Sequence, residues 1–318
     1  MSNARTAFSY CVQQVRNYDY HHYLCLLELP LNMRRSAFAL RAFNVETARA
    51  MDVASDPRIG LMRLLWWQEA IDKIFSNKLV EHPVAQALAS VISEHKFSKS
   101  WLKRSVQARI DDARRDVSNI PETIEDLERY AEDTMSTILY STLEADGFIL
   151  SPKAKANNSE TDGIRSTAAD HAASHIGKAS GLALLLRSLP YHAGRNRHFL
   201  YIPADVAKKH GLLVNKSENR IDSREGLCSA VYEMASVANA HLQKARELAE
   251  TVPVGARPVM LPAVPTQFVL DTLRRVQFDV FDPRLARGIL GITGTNLEEQ
   301  LKMLAGILFE KMACKQNQ

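Results

Sequence analysis

Between His171 and Ala204 the chain carries Lys178, Arg187, Arg195 and Arg197 and not one aspartate or glutamate. From Ser174 the run reads SHIGKASGLALLLRSLPYHAGRNRHFLYIP. Cations without acids among them suit a phosphate or diphosphate, held through charge-assisted hydrogen bonds. His175, His192 and His198 add donors when protonated or suitably turned. The plainer alternative is that these groups face solvent or pair with acids on neighbouring helices. For a hard divalent cation the stretch is poor, because magnesium takes several oxygen ligands in near-octahedral geometry.

Acids elsewhere recur at spacings that invite a metal. Asp52 and Asp56 lie about one helical turn apart, with Glu46 upstream. Arg49 competes with any cation placed there, and solvated acids near a helix end are the simpler reading. Asp111, Asp112 and Asp116 alternate with Arg109, Arg114 and Arg115, the pattern of an internally paired, solvated helix face. That group and Glu122, Glu125 and Asp126 receive no catalytic role. Cys11, Cys25, Cys228 and Cys314 show no CxxC spacing, which fits a reduced compartment without disulfides or zinc. The glycines build no phosphate cradle, and Gly291 and Gly294 read as a turn. No metal, cofactor or catalytic residue is expected.

Trp66 and Trp67 are neighbours on one helix and cannot share a face. Core packing is the first reading for Trp66, with Trp67 exposed or at a partner contact, and both are candidate interface residues. Tyr201, in the phrase YIP, reads equally well as a cavity residue or as a buried tyrosine with its hydroxyl on a polar neighbour.

The elements that must position these groups are helical. Apolar residues at helical spacing mark residues 5–28, stopped by Pro30, then a segment through Phe38 and Phe43 to about Ser55. Asp56-Pro57 and His82-Pro83 restart the pattern. Leu102 to Ile110 continues it, and Pro121 sits early in a helix carrying Thr123 to Glu144. The polar segment 151–165, opening SPKAKANNSETDG, is expected to be a mobile loop. Helices resume near Thr167 and run to Leu189, where Pro190 ends them. Further helices cover 223–251 and 265–278. A last one at 296–314 sets Leu297, Leu301, Leu304, Leu308 and Met312 near one stripe. The stripe docks on the core or, if exposed, serves a membrane surface or partner groove. About ten helices in one all-α domain spanning residues 1–318 are predicted.

Bulk properties narrow the function classes. The chain has 318 residues, 46% hydrophobic and 24% charged, within the range of a soluble globular protein with a large core. A net charge of +4, from 40 basic and 36 acidic residues, is compatible with an anionic ligand or surface. No block of five like charges occurs, so nucleic acid is not expected as a partner. No apolar run reaches the length of about 18 residues that spans a bilayer. The N-terminus lacks a signal-peptide core, and Asp19 arrives too soon for a long amphipathic presequence.

In order, the chain carries AFALRAF at Ala37–Phe43, WWQEAID at Trp66–Asp72 and HPVAQAL at His82–Leu88. LERYAEDTMSTILYSTLE at Leu127–Glu144, HIGKASGLALLLR at His175–Arg187 and FLYIPADVAKKHGL at Phe199–Leu212 follow. This series resembles the squalene/phytoene synthase family over roughly residues 8–290, which implies an all-α, isoprenoid-synthase-like helical bundle. Active members join prenyl diphosphates using two aspartate-rich motifs that hold magnesium, which neutralises the departing diphosphate.

Mapped onto this chain, the first motif falls on Ala48, Arg49 and a trailing Asp52. The second falls on Leu184, Arg187, Ser188, Tyr191 and His192, with Pro190 among them. Only Arg187 matches, and along the chain no carboxylate follows until Asp205. What survives is a basic wall of Lys178, Arg187, Arg195 and Arg197 able to bind an anion.

The phrases SHIGKASG, LRSLPYH, QFDVFDP, ENRIDSREGL and TVPVGARP resemble a branch of the family that serves assembly of mitochondrial respiratory complex I. That resemblance implies a noncatalytic role on the matrix side of the inner membrane. It also implies complex I subunits or other assembly factors as partners, with peripheral contact to the membrane. Two alternatives stand beside it. One is a module that holds a prenyl or anionic lipid, identified by ligand retention without bond formation. The other is an atypical isoprenoid-diphosphate transferase, identified by ordered metals bridging a diphosphate.

Overall fold

The computed structural model describes residues 2–115, 119–148, 160–193, 201–212 and 223–287, and every regular element among them is helical. Thirteen α-helices are present in this set, more than the sequence pattern separates, because several are single turns or follow a break within one apolar pattern. The chain divides into two compact units.

The first unit comprises Met1–Arg114, Asp133–Ser174 and Leu248–Leu261. It holds α1 (Ser2–Tyr18), α2 (Tyr20–Leu27), α3 (Leu31–Ala48), α4 (Pro57–Phe75), α5 (Pro83–Glu94) and α6 (Lys99–Ala113). Its core joins Cys11 and Val15 of α1 to Ala39, Leu40 and Phe43 of α3, with Leu64 and Ile71 of α4 and Leu88 of α5. The single helix expected over 5–28 is broken at Asp19, whose φ of −149° and ψ of 58° lie outside helical space. Its carboxylate pairs with Arg41 of α3 and with His22 Nδ1 at 2.8 Å. Burial alone would raise the Asp19 carboxyl, but Arg41 and His22 outweigh it and hold it well below the usual carboxylate range.

Asp56 starts α4 by accepting a hydrogen bond from Arg58 N at 2.8 Å, with Pro57 at the first helical position. The helix enters close to the preceding loop. A Cβ on Gly60 would stand 2.6 Å from Met51 Sδ and 3.0 Å from its Cα, so only glycine fits there without a shift. The helix expected over Thr123–Glu144 is interrupted by a π-helical turn, Glu132–Ser136. The part that follows, α8 (Thr137–Ala145), is buried along its whole length. Its hydroxyls hide there by bonding back one turn, Ser141 to Thr137 O at 2.9 Å and Thr142 to Ile138 O at 2.8 Å.

The second unit comprises Arg115–Glu132, His175–Glu247 and Pro262–Gln318. Its helices are α7 (Ile124–Ala131), the later part of α9 (Glu160–Ala193), α10 (Ala204–Lys209), α11 (Arg224–Leu248), α12 (Ala263–Arg275) and α13 (Pro283–Arg287). Leu182 and Leu186 of α9, Val231, Met234 and Leu242 of α11, and Leu273 of α12 form its core. Pro121 precedes α7 instead of lying inside it. Thr123 is the cap, in a capping box closed by Asp126, and the Pro121 carbonyl accepts from Ala204 N at 2.9 Å.

Two boundaries on α9 differ from expectation. The helix begins at Glu160, inside the segment read as a loop, and it continues through Pro190 to Ala193. A proline this close to a C-terminus removes one backbone hydrogen bond without preventing the last turn. The remainder of the expected loop, 151–159, lies outside the described residues. So do the helix at 296–314 and Arg195, Arg197 and His198.

Candidate functional site

The second-motif positions sit on the C-terminal half of α9. Leu184 and Tyr191 are exposed. Ser188 Oγ donates to Leu185 O of its own helix at 2.8 Å. The His192 ring lies 5.4 Å from Tyr191 and 4.5 Å from Tyr201, centroid to centroid. Arg187 is half-buried and already engaged. Tyr201, also half-buried, is thus a ring neighbour of His192.

Carboxylates do approach the earlier turns of α9, from α7 and the π-helical turn that follows it. Lys178 Nζ stands 3.8 Å from Glu132 Oε2, so this member of the expected basic wall faces an acid. Four residues before Glu132, Glu128 accepts from His241 Nε2 of α11 at 2.7 Å. His241 Nδ1 in turn meets His175 Nδ1 at 2.8 Å. The result is a chain Glu128, His241, His175 that ties α7, α11 and α9 together. Its signal in the sequence is the pair Glu128 and Glu132, one turn apart. Only contact in space couples them to His175 and Lys178.

The first-motif positions lie in the other unit. Ala48, at the end of α3, is exposed and carries no donor. The Arg49 guanidinium lies 3.3 Å from the Tyr18 ring centroid, a cation–π contact. Asp52 is exposed and engaged. Asp56 is committed to capping α4 and to Arg58, whose Nη2 lies 2.8 Å from it, and those hydrogen bonds hold its carboxyl below the ordinary range.

The inward carboxylate of this segment is Glu46, which accepts from Tyr10 Oη at 3.0 Å. Burial and the nearby Glu46 push the Tyr10 phenol up to about 12 and the Cys11 thiol up to about 12. Burial lowers His82, against the opposing pull of Glu46. The His82 ring packs 5.4 Å from Trp66 and 5.2 Å from Trp67. Here the expected assignment of the tryptophans is reversed. Trp67 is 4% exposed and Trp66 38%. The cause is helical register, since Trp67 follows Gly60 and Leu64 and precedes Ala70, Ile71 and Ile74 on the buried face of α4.

A scan against protein-family models matches squalene/phytoene synthase over residues 15–288. The chain belongs to the squalene/phytoene synthase family. It is 40% identical to the Bos taurus protein "NADH dehydrogenase (ubiquinone) complex I, assembly factor 6", covering 87% of this chain and 77% of the relative. The Drosophila melanogaster homolog of that factor is 38% identical over 85% of this chain and 76% of its own length. The Dictyostelium discoideum homolog is 31% identical over 86% and 72%.

Of solved structures in the fold, a dehydrosqualene synthase matches at a TM-score of 0.74 and 17% identity, covering 97% of this chain and 99% of its own. A squalene synthase from Alicyclobacillus acidocaldarius matches at 0.68 and 18%, covering 88% and 97%. These two establish the isoprenoid-synthase fold. At the positions that the resemblance maps, oxygen donors suited to magnesium are few, with Asp52 the carboxylate among them. Leucine and alanine offer no ligand atom, Ser188 is bonded into its helix, and His192 is an imidazole where magnesium prefers oxygen. Among the described residues no group of three or more His, Cys, Asp or Glu side chains is placed to hold a metal.

Proposed function

We propose that this chain is a noncatalytic assembly factor for mitochondrial respiratory complex I, working on the matrix side of the inner membrane. The observation that carries the reading is its identity of 31 to 40% with relatives named complex I assembly factors, over most of the chain. The side chains at the mapped motif positions support the noncatalytic half. In this reading the prenyl-synthase scaffold is retained and its two magnesium-binding motifs are lost, with Ala48 and Arg49 in one and Leu184, Ser188 and His192 in the other. The partners are complex I subunits or other assembly factors. Membrane contact in this reading is peripheral, and no helix of the described residues is long and apolar enough to cross a membrane.

Two measurements test the two halves. In cells deprived of the chain, native gels should show loss of assembled complex I, restored by re-expression; undiminished complex I would overturn the assembly role. Purified protein incubated with farnesyl and geranylgeranyl diphosphate plus magnesium should yield no condensation product by mass spectrometry. A magnesium-dependent product would overturn the noncatalytic half. Retention of the diphosphate without product would add a lipid-binding role.

A further inference from the structure

α4 buries one face, with Gly60, Leu64, Trp67, Ala70, Ile71 and Ile74 turned inward. Its opposite face holds Arg58, Met62, Leu65 and Glu69, at i, i+4, i+7 and i+11. At about 100° per residue these four fall within about 60° of one another, along roughly 16 Å of helix. All four are exposed, Met62 at 67%. Ile59 and Trp66 are exposed together on one flank of that line.

The order along the line is cation, apolar, apolar, anion, and it reads the same in reverse with the charges exchanged. Two such helices packed antiparallel about a two-fold axis between Arg63 and Leu64 would set Met62 against Leu65 of the second copy. Arg58 would meet Glu69 of the second copy, and the axis repeats both contacts. The flank adds Ile59 beside Trp66 in the same sense. Isologous interfaces require self-complementarity of this kind.

We infer that the outer face of α4 is a homodimer interface, occupied by α4 of a second copy of this chain. The present partners of the end charges do not oppose it. Arg58 bonds Asp56 with its side chain 89% exposed, and Glu69 stands 3.7 Å from Lys73. Exposed pairs of that kind are weak and readily exchanged. Six side chains cover less than the roughly 800 Å² per partner of a stable interface, so the dimer is expected in the micromolar range.

Sedimentation velocity on the purified full chain, from about 1 to 100 µM, tests the inference, with thermal melts to confirm that each variant folds. Wild type should shift from monomer to dimer across that range. Met62→Glu should weaken association at least about tenfold. Arg58→Glu and Glu69→Arg should each weaken self-association, while an equimolar mixture of the two single variants, or the double variant, should restore it. A chain that stays monomeric throughout would overturn the inference. So would a dimer indifferent to Met62→Glu, or charge variants that fail to rescue one another.

Discussion

His175 and His241 meet through their Nδ1 atoms at 2.8 Å, and the far nitrogen of His241 is held by Glu128 at 2.7 Å. One of the two facing nitrogens must donate and the other accept, so only one proton can lie between them. The carboxylate favours a proton on Nε2 of His241, which leaves its Nδ1 to accept from His175 when His241 is neutral. Three helices are thereby locked in register by one directional chain.

Removing the middle of that chain should cost more than removing either hydrogen bond alone. His241→Phe is expected to lower stability by about 2 to 3 kcal/mol, since it removes both hydrogen bonds at once. In a double-mutant cycle with Glu128→Gln, urea unfolding should show clear non-additivity. Additive losses would mean that the two contacts act independently.

The Asp19–Arg41 pair sets an acid limit on folding. The folded carboxyl titrates below its unfolded value of about 3.9. The stabilisation is therefore fully present above about pH 4 and drains away as pH falls through the lower, folded value. Arg41→Met leaves the half-buried Asp19 carboxylate with His22 alone and should cost about 3 kcal/mol at neutral pH. It should also flatten the acid limb of a plot of Tm against pH; an unchanged limb would assign the acid sensitivity elsewhere.

Asp146 works in the opposite sense. Burial raises its carboxyl to about 6 in spite of nearby His95, and its buried Oδ2 has no hydrogen-bond partner. The folded state therefore holds a proton that the unfolded chain releases, and stability falls as pH rises from about 4 through about 6. A shift of two units corresponds to about 2.7 kcal/mol, and partial solvent exposure reduces this to about 1 kcal/mol. Asp146→Asn should raise Tm at pH 7.5 and leave it unchanged near pH 4. Equal gains at both values would point to packing instead of charge.

Trp67→Ala should destabilise the chain by about 3 to 5 kcal/mol, the usual cost of emptying a buried indole site. Trp66→Ala should cost less than half as much, because that ring is 38% exposed. Chemical unfolding of the two variants side by side measures the difference. Comparable losses would place both rings in the core.

The helical class and most segment boundaries were legible from apolar spacing and from prolines at helix starts, as at Pro57 and Pro83. Three kinds of feature were not. The break at Asp19 depends on Arg41, which is 22 residues away, and no local propensity reports it. The π-helical turn at Glu132–Ser136 leaves the polar and apolar pattern almost undisturbed. The order of Trp66 and Trp67 is set by where α4 begins, and a one-residue error in register exchanges their faces. At the candidate site, the sequence identified the residues of α9 but not the acids that meet them. Glu128 and Glu132 arrive from a helix about 45 residues upstream.

α8 is buried on every side, yet its serine and threonine hydroxyls at Thr137, Ser141 and Thr142 are satisfied by carbonyls one turn earlier in the chain. None of these hydroxyls needs a neighbour, so what the surrounding helices register at Thr137, Ser141 and Thr142 is size. A library randomised at those three positions should therefore sort by volume, with alanine and cysteine accepted at Ser141, valine at Thr137 and Thr142, and leucine and phenylalanine rejected at all three. Selection on this segment acts as a volume filter that is nearly blind to polarity.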